Sequence, residues 1–308
     1  MEQKSMTAMI SAFSRAYHSV NNQENNNEKV FDDYLAKDIL TGEEYQEIAD
    51  NMSRGISYFN PDFKGTQEEA LRWIVDNQLS PSPLGRAAFA ESTLETAVKI
   101  GARQYLIFAA GYDSFAYRQP DWAKGIQIFE LDHPATCADK QRRILALMPE
   151  KPANLYYIPV DFTEGGWEKH LLAATAFNKS RISFCSMLGI SYYLSRQNFV
   201  QMLDTVSGLV PKGSSIVFDY PDEATYTPNA GARVKRQLAM AGAAGESMLS
   251  AYSYEEMEKL LSRSNFLIYE HLTPAEITWQ YFSKYNKANP EHAITAFDNV
   301  NYCLAVKE

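Results

Sequence analysis

Cysteine is nearly absent: the 308 residues hold Cys137, Cys185 and Cys303 and no others. Three widely spaced thiols make neither a disulfide framework nor a metal site, and they read as reduced cysteines in a cytoplasmic protein. Basic clusters are missing too. Lys and Arg number 29 against 38 Asp and Glu, a formal net charge of −9, which excludes nucleic acid as a partner because phosphates need cationic side chains to neutralise them. Long apolar runs are lacking. The opening stretch MEQKSMTAMISAF reads as neither a signal peptide nor a membrane span, so no membrane partner is expected. The five histidines fall in no metal-ligand spacing, and no Ser-His-Asp order stands out.

What is present is an apolar fraction of 45 %, enough for a substantial core, and 13 % aromatic residues, which serve both cores and the walls of organic-ligand pockets. The first part of the chain is helical in pattern, over residues 1–17, 31–40, 41–56 and 66–79. A polar run at 21–27 reads as a mobile loop, and Ser80-Pro81-Ser82-Pro83 as a break. Beyond it, a helix over 84–100 stops at Gly101. Apolar strand candidates then alternate with helix-length segments: QYLIFAA (104–110), IQIFELD (126–132), LYYIPVDF (155–162), RISFCSMLGI (181–190) and SSIVFDY (214–220). Such strands, continuous in apolar character, predict a mostly parallel sheet covered on both faces, an α/β doubly wound fold. A helix is expected at 195–209 and another at 253–262, with strands at 266–272 and 301–306 as a closing antiparallel pair. The chain thus reads as a single domain, with a helical cap over 1–83, a catalytic core over 84–308 and an Ala- and Gly-rich lid insertion at about 221–250.

The first strand runs into Ala109-Ala110-Gly111-Tyr112-Asp113. A nucleotide-like ligand needs a tight turn here, and glycine at 111 permits one. Asp132 closes the second strand, about 20 residues after that turn, at the distance where an acid commonly takes ribose hydroxyls. Asp161 closes the third strand, in reach of an adenine amine, and Ser186 lies toward the end of the fourth. A turn followed by an acid also fits a Rossmann-type NAD oxidoreductase. Against it, the dinucleotide pattern G-x-G-x-x-G is not met at Ala109, Gly111 and Ser114. An acid at 113 repels a diphosphate and suits a ligand carrying an ammonium and a sulfonium, as S-adenosyl-L-methionine does. A protein that binds this ligand without transferring its methyl group remains a further alternative.

The stretches GARQYLIFAAGYDSFAYR (101–118) and FELDHPATCADK (129–140) resemble the leucine carboxyl methyltransferase-like family of class I S-adenosylmethionine-dependent methyltransferases, which includes bacterial O-methyltransferases of polyketide biosynthesis. SRAYHS (14–19), VFDDYLAKDIL (30–40), PLGRAAFAE (83–91), MLGISYYLS (187–195) and GSSIVFDY (213–220) extend the likeness over most of the chain. The resemblance implies a seven-stranded Rossmann-like sheet and S-adenosyl-L-methionine as cofactor. By position it assigns Arg86 to the cofactor's carboxylate, Ala109, Ala110 and Gly111 to passage beside its amino-acid moiety, and Asp113 to its ammonium. Asp132 falls to the ribose, Asp161 and Phe162 to adenine, and Ser186 to the same site. Tyr193, and Tyr192 beside it, are placed near the transferred methyl group, with Tyr193 the catalytic candidate. Family members usually carry glycine where this chain has Ala109. Arg118 is expected to pair with Glu130 or Asp113, and His133 to serve a structural turn. The activity implied is O-methylation of a small-molecule carboxylate or phenol by direct transfer, in a chain that admits a homo-oligomer. No base is evident, which leans toward a carboxylate, since that group is nucleophilic already.

Overall fold

A computed structural model describes residues 5–22 and 28–308. Its strands are β1 (Gln104–Phe108), β2 (Gln127–Asp132), β3 (Leu155–Pro159), β4 (Ser183–Met187), β5 (Ser215–Pro221), β6 (Phe266–Leu272) and β7 (Val300–Lys307). They make one seven-stranded sheet in the order β3-β2-β1-β4-β5-β7-β6. Strands β1 to β5 run parallel, and β7 enters antiparallel between β5 and β6. The expected α/β sheet and its closing antiparallel pair are both there. Along β1, Tyr105 and Ile107 enter one core while Leu106 and Phe108 enter the other. That is the two-residue period of a strand, and burial on both faces explains why QYLIF carries no polar alternation after its first residue. The order of strands reverses between β1 and β4, so the crevice over their carboxyl ends is where such sheets bind ligands.

A third core belongs to the N-terminal helices. The helix Met6–Asn21 starts on Ser5, whose hydroxyl accepts from the Ala8 N–H at 3.2 Å. It buries Met9, Ala12, Phe13, Ala16 and Tyr17, a stripe at three- and four-residue spacing. The helices Gly42–Arg54 and Gln67–Ile74 each begin with a capping box, Thr41 with Glu44 and Thr66 with Glu69. Tyr112, from the turn after β1, is buried among these cap residues, so the cap and the turn share one core.

Several boundaries differ from the sequence reading. Pro81 and Pro83 do not break the chain: they occupy the first turn of the helix Pro81–Lys99, where a missing N–H forfeits no hydrogen bond. Arg86 therefore lies inside that helix. Only Ala36–Ile39 of the 31–40 segment is helical. Pro221 still belongs to β5, and the insertion after it holds a tight turn at Glu223–Tyr226 and the helix Ala232–Ala243. Pro274–Ile277 and Ser283–Ala288, which the sequence pattern left unassigned, are helical on either side of a π turn at Thr278–Phe282. Of the polar run at 21–27, residues 23–27 lie outside the described residues, as do residues 1–4 of the first helical pattern. No helix among the described residues is long and apolar enough to cross a membrane.

Candidate functional site

The turn after β1 sets the floor of the site. Ala109 and Gly111 both take φ of +51°. At Gly111 a Cβ would stand 3.3 Å from the Cβ of Ala8, so glycine there is what lets the N-terminal helix close over the turn. At the end of β2, Asp132 accepts hydrogen bonds from the backbone N–H of Gly111 and, at 2.6 Å, of His133. Burial pushes its carboxyl above the ordinary range, and the two amides only partly offset that. Asp113 turns one oxygen back to the Phe115 N–H at 2.8 Å. His133 caps the helix Pro134–Leu147, its Nδ1 accepting from the Ala135 N–H at 3.3 Å; this is the structural turn expected of it.

Beyond β4 the chain turns at Gly189, with φ of +70°, and reaches Tyr192 and Tyr193. Ser186, buried in β4, donates its hydroxyl to Tyr105 at 3.0 Å. Tyr192 is core, donating to Asp219 at 2.9 Å. Burial pushes the Tyr193 phenol up to about 12, so it stays protonated near neutral pH. Arg86 is 20 % exposed and touches Asp219 and Ser11, each at 3.5 Å.

These pieces enclose a cavity of about 220 Å³ over the carboxyl ends of the strands. Arg86, Ala109, Ala110, Gly111, Asp113, Asp132, Ser186 and Tyr193, drawn from four separate stretches of sequence, all line it. Asp161 and Phe162 are not brought there. Asp161 turns back on its own loop, accepting from the Thr163 N–H at 2.8 Å and hydroxyl at 2.6 Å. Phe162 packs behind the wall on Phe108 and Trp167, with ring centroids 5.9 and 5.5 Å away. Arg118 does line the cavity, but its partners are Glu91 at 2.6 Å and Asp33 at 3.2 Å instead of Glu130 or Asp113. Glu130 pairs instead with buried Lys140 at 2.5 Å.

Other lining residues went unread in the sequence. Arg15 donates to Asp33 at 2.8 Å, to Ser11 at 2.9 Å and to the Tyr112 carbonyl at 2.9 Å. Burial alone would raise the Asp33 carboxyl, but Arg15 and Arg118 hold it below the ordinary range. Arg15 and Asp33 fall inside SRAYHS and VFDDYLAKDIL, so their signal was present without a role attached. Glu246 closes the rim from the insertion, accepting from the Ser5 hydroxyl at 3.0 Å and from the Thr7 hydroxyl. Nothing in its Ala- and Gly-rich surroundings marks it.

The donor set can be tested against a ligand. A guanidinium offers five N–H donors, and Arg86 makes two long contacts, so its fork has capacity for a carboxylate. Asp132, across the β1 turn, retains lone pairs for hydroxyl donors. The turn at Ala110 and Gly111 lies among them in the cavity wall. That chemistry matches a ligand with an amino-acid end and a ribose, and the residues present fit S-adenosylmethionine.

The leucine carboxyl methyltransferase family model matches residues 8–207. The protein YktD of Bacillus subtilis (strain 168), a candidate S-adenosyl-L-methionine-dependent methyltransferase, is 38 % identical over 311 residues, spanning 99 % of this chain and 99 % of that protein. A candidate methyltransferase of the same description from Mycobacterium tuberculosis (strain ATCC 25618 / H37Rv), Rv3399, is 31 % identical over 150 residues, 49 % of this chain and 41 % of that protein. Among solved structures, a candidate methyltransferase from Thermobifida fusca YX superimposes with a TM-score of 0.57 at 12 % identity, covering 99 % of this chain and 96 % of that one. A DUF574 family protein from Streptomyces avermitilis MA-4680 gives 0.54 at 15 % identity, covering 83 % and 97 %. At such identities the two structures speak for the fold alone.

Proposed function

Because this chain belongs to the leucine carboxyl methyltransferase family, we propose that it transfers a methyl group to the oxygen of a small molecule, either a carboxylate or a phenolic hydroxyl. It is an S-adenosylmethionine-dependent methyltransferase. The observation that carries the reading of the site is the convergence of Arg86, the 109–111 turn, Asp113, Asp132, Ser186 and Tyr193 on one cavity. Bound S-adenosylmethionine supplies a methyl group on a positively charged sulfur. The chain's own work is placement. Arg86 holds the cofactor's carboxylate, and its planar fork matches both oxygens. Asp113 lies by its ammonium, and Asp132 accepts from the ribose hydroxyls. The narrow turn at Ala109, Ala110 and Gly111 passes beside the amino-acid end, with Ser186 in the adjoining wall. Tyr193 donates a hydrogen bond that orients the acceptor oxygen. Asp161 and Phe162, in the loop just beyond β3, serve the adenine once that loop and the rings behind the wall adjust to it. The segment 222–250 covers the site, and the chain acts without nucleic acid or a membrane, in the cytoplasm, as a monomer or a homo-oligomer.

Calorimetry with S-adenosylmethionine, S-adenosylhomocysteine and NAD tests the cofactor assignment. Saturable binding of the two adenosyl ligands and none of NAD is expected, and the reverse pattern would refute it. Incubation with labelled cofactor and a panel of small carboxylic acids and phenols tests the acceptor. Label should appear as a methyl ester or an aryl methyl ether; transfer only to nitrogen, or only to a protein, would overturn the acceptor class.

A further inference from the structure

Arg86 is held in the cavity wall from behind. Asp219, at 0 % exposure, stands outside the cavity lining, in β5. One of its carboxylate oxygens accepts from the Gly189 N–H at 2.6 Å. The other accepts from the Tyr192 hydroxyl at 2.9 Å and faces Nη1 of Arg86 at 3.5 Å. Its carbonyl oxygen accepts from the Ser191 hydroxyl at 2.5 Å. The same carboxylate therefore fixes both the turn after β4 and the guanidinium lying on it. Gly189 supplies the room. A Cβ at that position would lie 2.2 Å from Nη1 and 2.8 Å from Cζ of Arg86, and φ there is +70°.

We propose that Asp219 and Gly189 are positioning residues for the carboxylate of the bound cofactor: Asp219 anchors Arg86 by one nitrogen, and Gly189 leaves the space in which the guanidinium lies, so that its other donors face the cavity. This rests on the cavity being the S-adenosylmethionine site. The long contact is what the task requires. A short two-pronged pair with Asp219 would occupy the fork that the ligand needs. With no buried anion behind it, a guanidinium pays its desolvation alone and turns toward water.

Titration calorimetry of the full chain with two ligands tests this. S-adenosylhomocysteine carries the amino-acid group, and 5′-methylthioadenosine shares its adenosine and thioether but lacks that group. In Asp219→Asn the affinity for S-adenosylhomocysteine should fall about tenfold or more, as for loss of a charge-assisted contact, while that for 5′-methylthioadenosine changes by less than about twofold. Gly189→Ala, whose Cβ would fall on the guanidinium and displace Arg86, should show the same selective loss, and it decides the matter if Asp219→Asn does not fold. In an Arg86→Ala background neither change should cause further loss, since both act through the guanidinium. An equal loss for the two ligands, or no loss in a folded variant, overturns the assignment. A wild-type chain that binds neither adenosyl ligand would remove the cofactor site itself, a result distinct from a wild type that binds both while the variants lose them equally.

Discussion

Ala109 sits at φ of +51° in the turn that carries the site. Its Cβ crowds the backbone there, a strain of about 1–2 kcal/mol that glycine escapes. The methyl also packs on the second core, which returns part of that. Ala109→Gly should therefore stabilise the chain by about 0.5–1 kcal/mol after allowing for the looser unfolded state, seen as a higher Tm with binding of S-adenosylhomocysteine retained; a lower Tm would mean that the methyl's packing outweighs the strain. Asp132→Ala should leave the fold intact, since the carboxylate sits at a strand end, and should weaken that binding by about 1.5–3 kcal/mol. The folded pKa of Asp132 is raised by burial, so the carboxylate is protonated sooner on acidification than an ordinary aspartate. Binding in the wild type should then begin to weaken at a higher pH than the usual carboxylate range, a dependence that Asp132→Asn abolishes. At Arg86 the expectation is graded: Lys keeps the charge and loses the fork, Ala loses both, and Ala should weaken binding by about 2–4 kcal/mol.

The N-terminal helices are the elements most exposed to acid. Arg143 forks onto Glu44 at 2.5 and 2.7 Å, tying the helix Gly42–Arg54 to Pro134–Leu147, and those hydrogen bonds bring the Glu44 carboxyl down from 4.5 to about 2. Its stabilisation is complete above 4.5 and is lost as pH falls through about 2. His18, buried in the helix Met6–Asn21, is held neutral with its value lowered from 6.5 to about 3, chiefly by burial. The unfolded chain takes up that proton below 6.5 while the folded cap does not, so stability declines from 6.5 down toward about 3. Urea midpoints measured across this range should fall in both windows. Glu44→Gln should flatten the lower one, and an unchanged profile in that variant would exclude the fork as its source. The insertion after β5 differs in kind. Glu246 joins it to the Ser5 and Thr7 hydroxyls at the start of the first helix, so Glu246→Ala should speed hydrogen exchange over 232–250 while β1 stays protected; equal rates in the two proteins would show that other contacts hold the insertion.

At the scale of the whole molecule, the sheet, the N-terminal helices and Glu246 of the insertion all contribute walls to one cavity. A ligand filling it should stabilise them together: S-adenosylhomocysteine at 100 times its Kd should add about 2.7 kcal/mol and shift a single thermal transition, whereas a shift confined to one of two resolved transitions would mean that the cap unfolds apart from the sheet. The sheet was legible in the sequence because each parallel strand is buried on both faces, so its apolar run depends on local order alone. Gly111, Asp132 and Arg86 do line one cavity; the turn and the strand-end acid were marked by local pattern, and Arg86 by the family resemblance of its stretch. Pro81 and Pro83 misled because proline breaks a helix interior but suits its first turn, and the chain does not say locally which of the two a given proline occupies. Asp161 and Phe162 stand where the motif puts them, yet their side chains answer to Thr163 and to the Phe108 and Trp167 rings. Sequence by itself thus determined the α/β class, the strand ends and the residue types that suit an adenosyl ligand, all of which are matters of short-range pattern. Which charges meet was decided by tertiary structure. Arg118 chose Glu91 and Asp33, Asp219 came to stand behind Arg86, and Glu246 crossed to the start of the first helix. Coulomb forces and hydrogen bonds act over a few ångströms between groups 27 to 241 residues apart in sequence, and only the folded chain brings such groups within that distance.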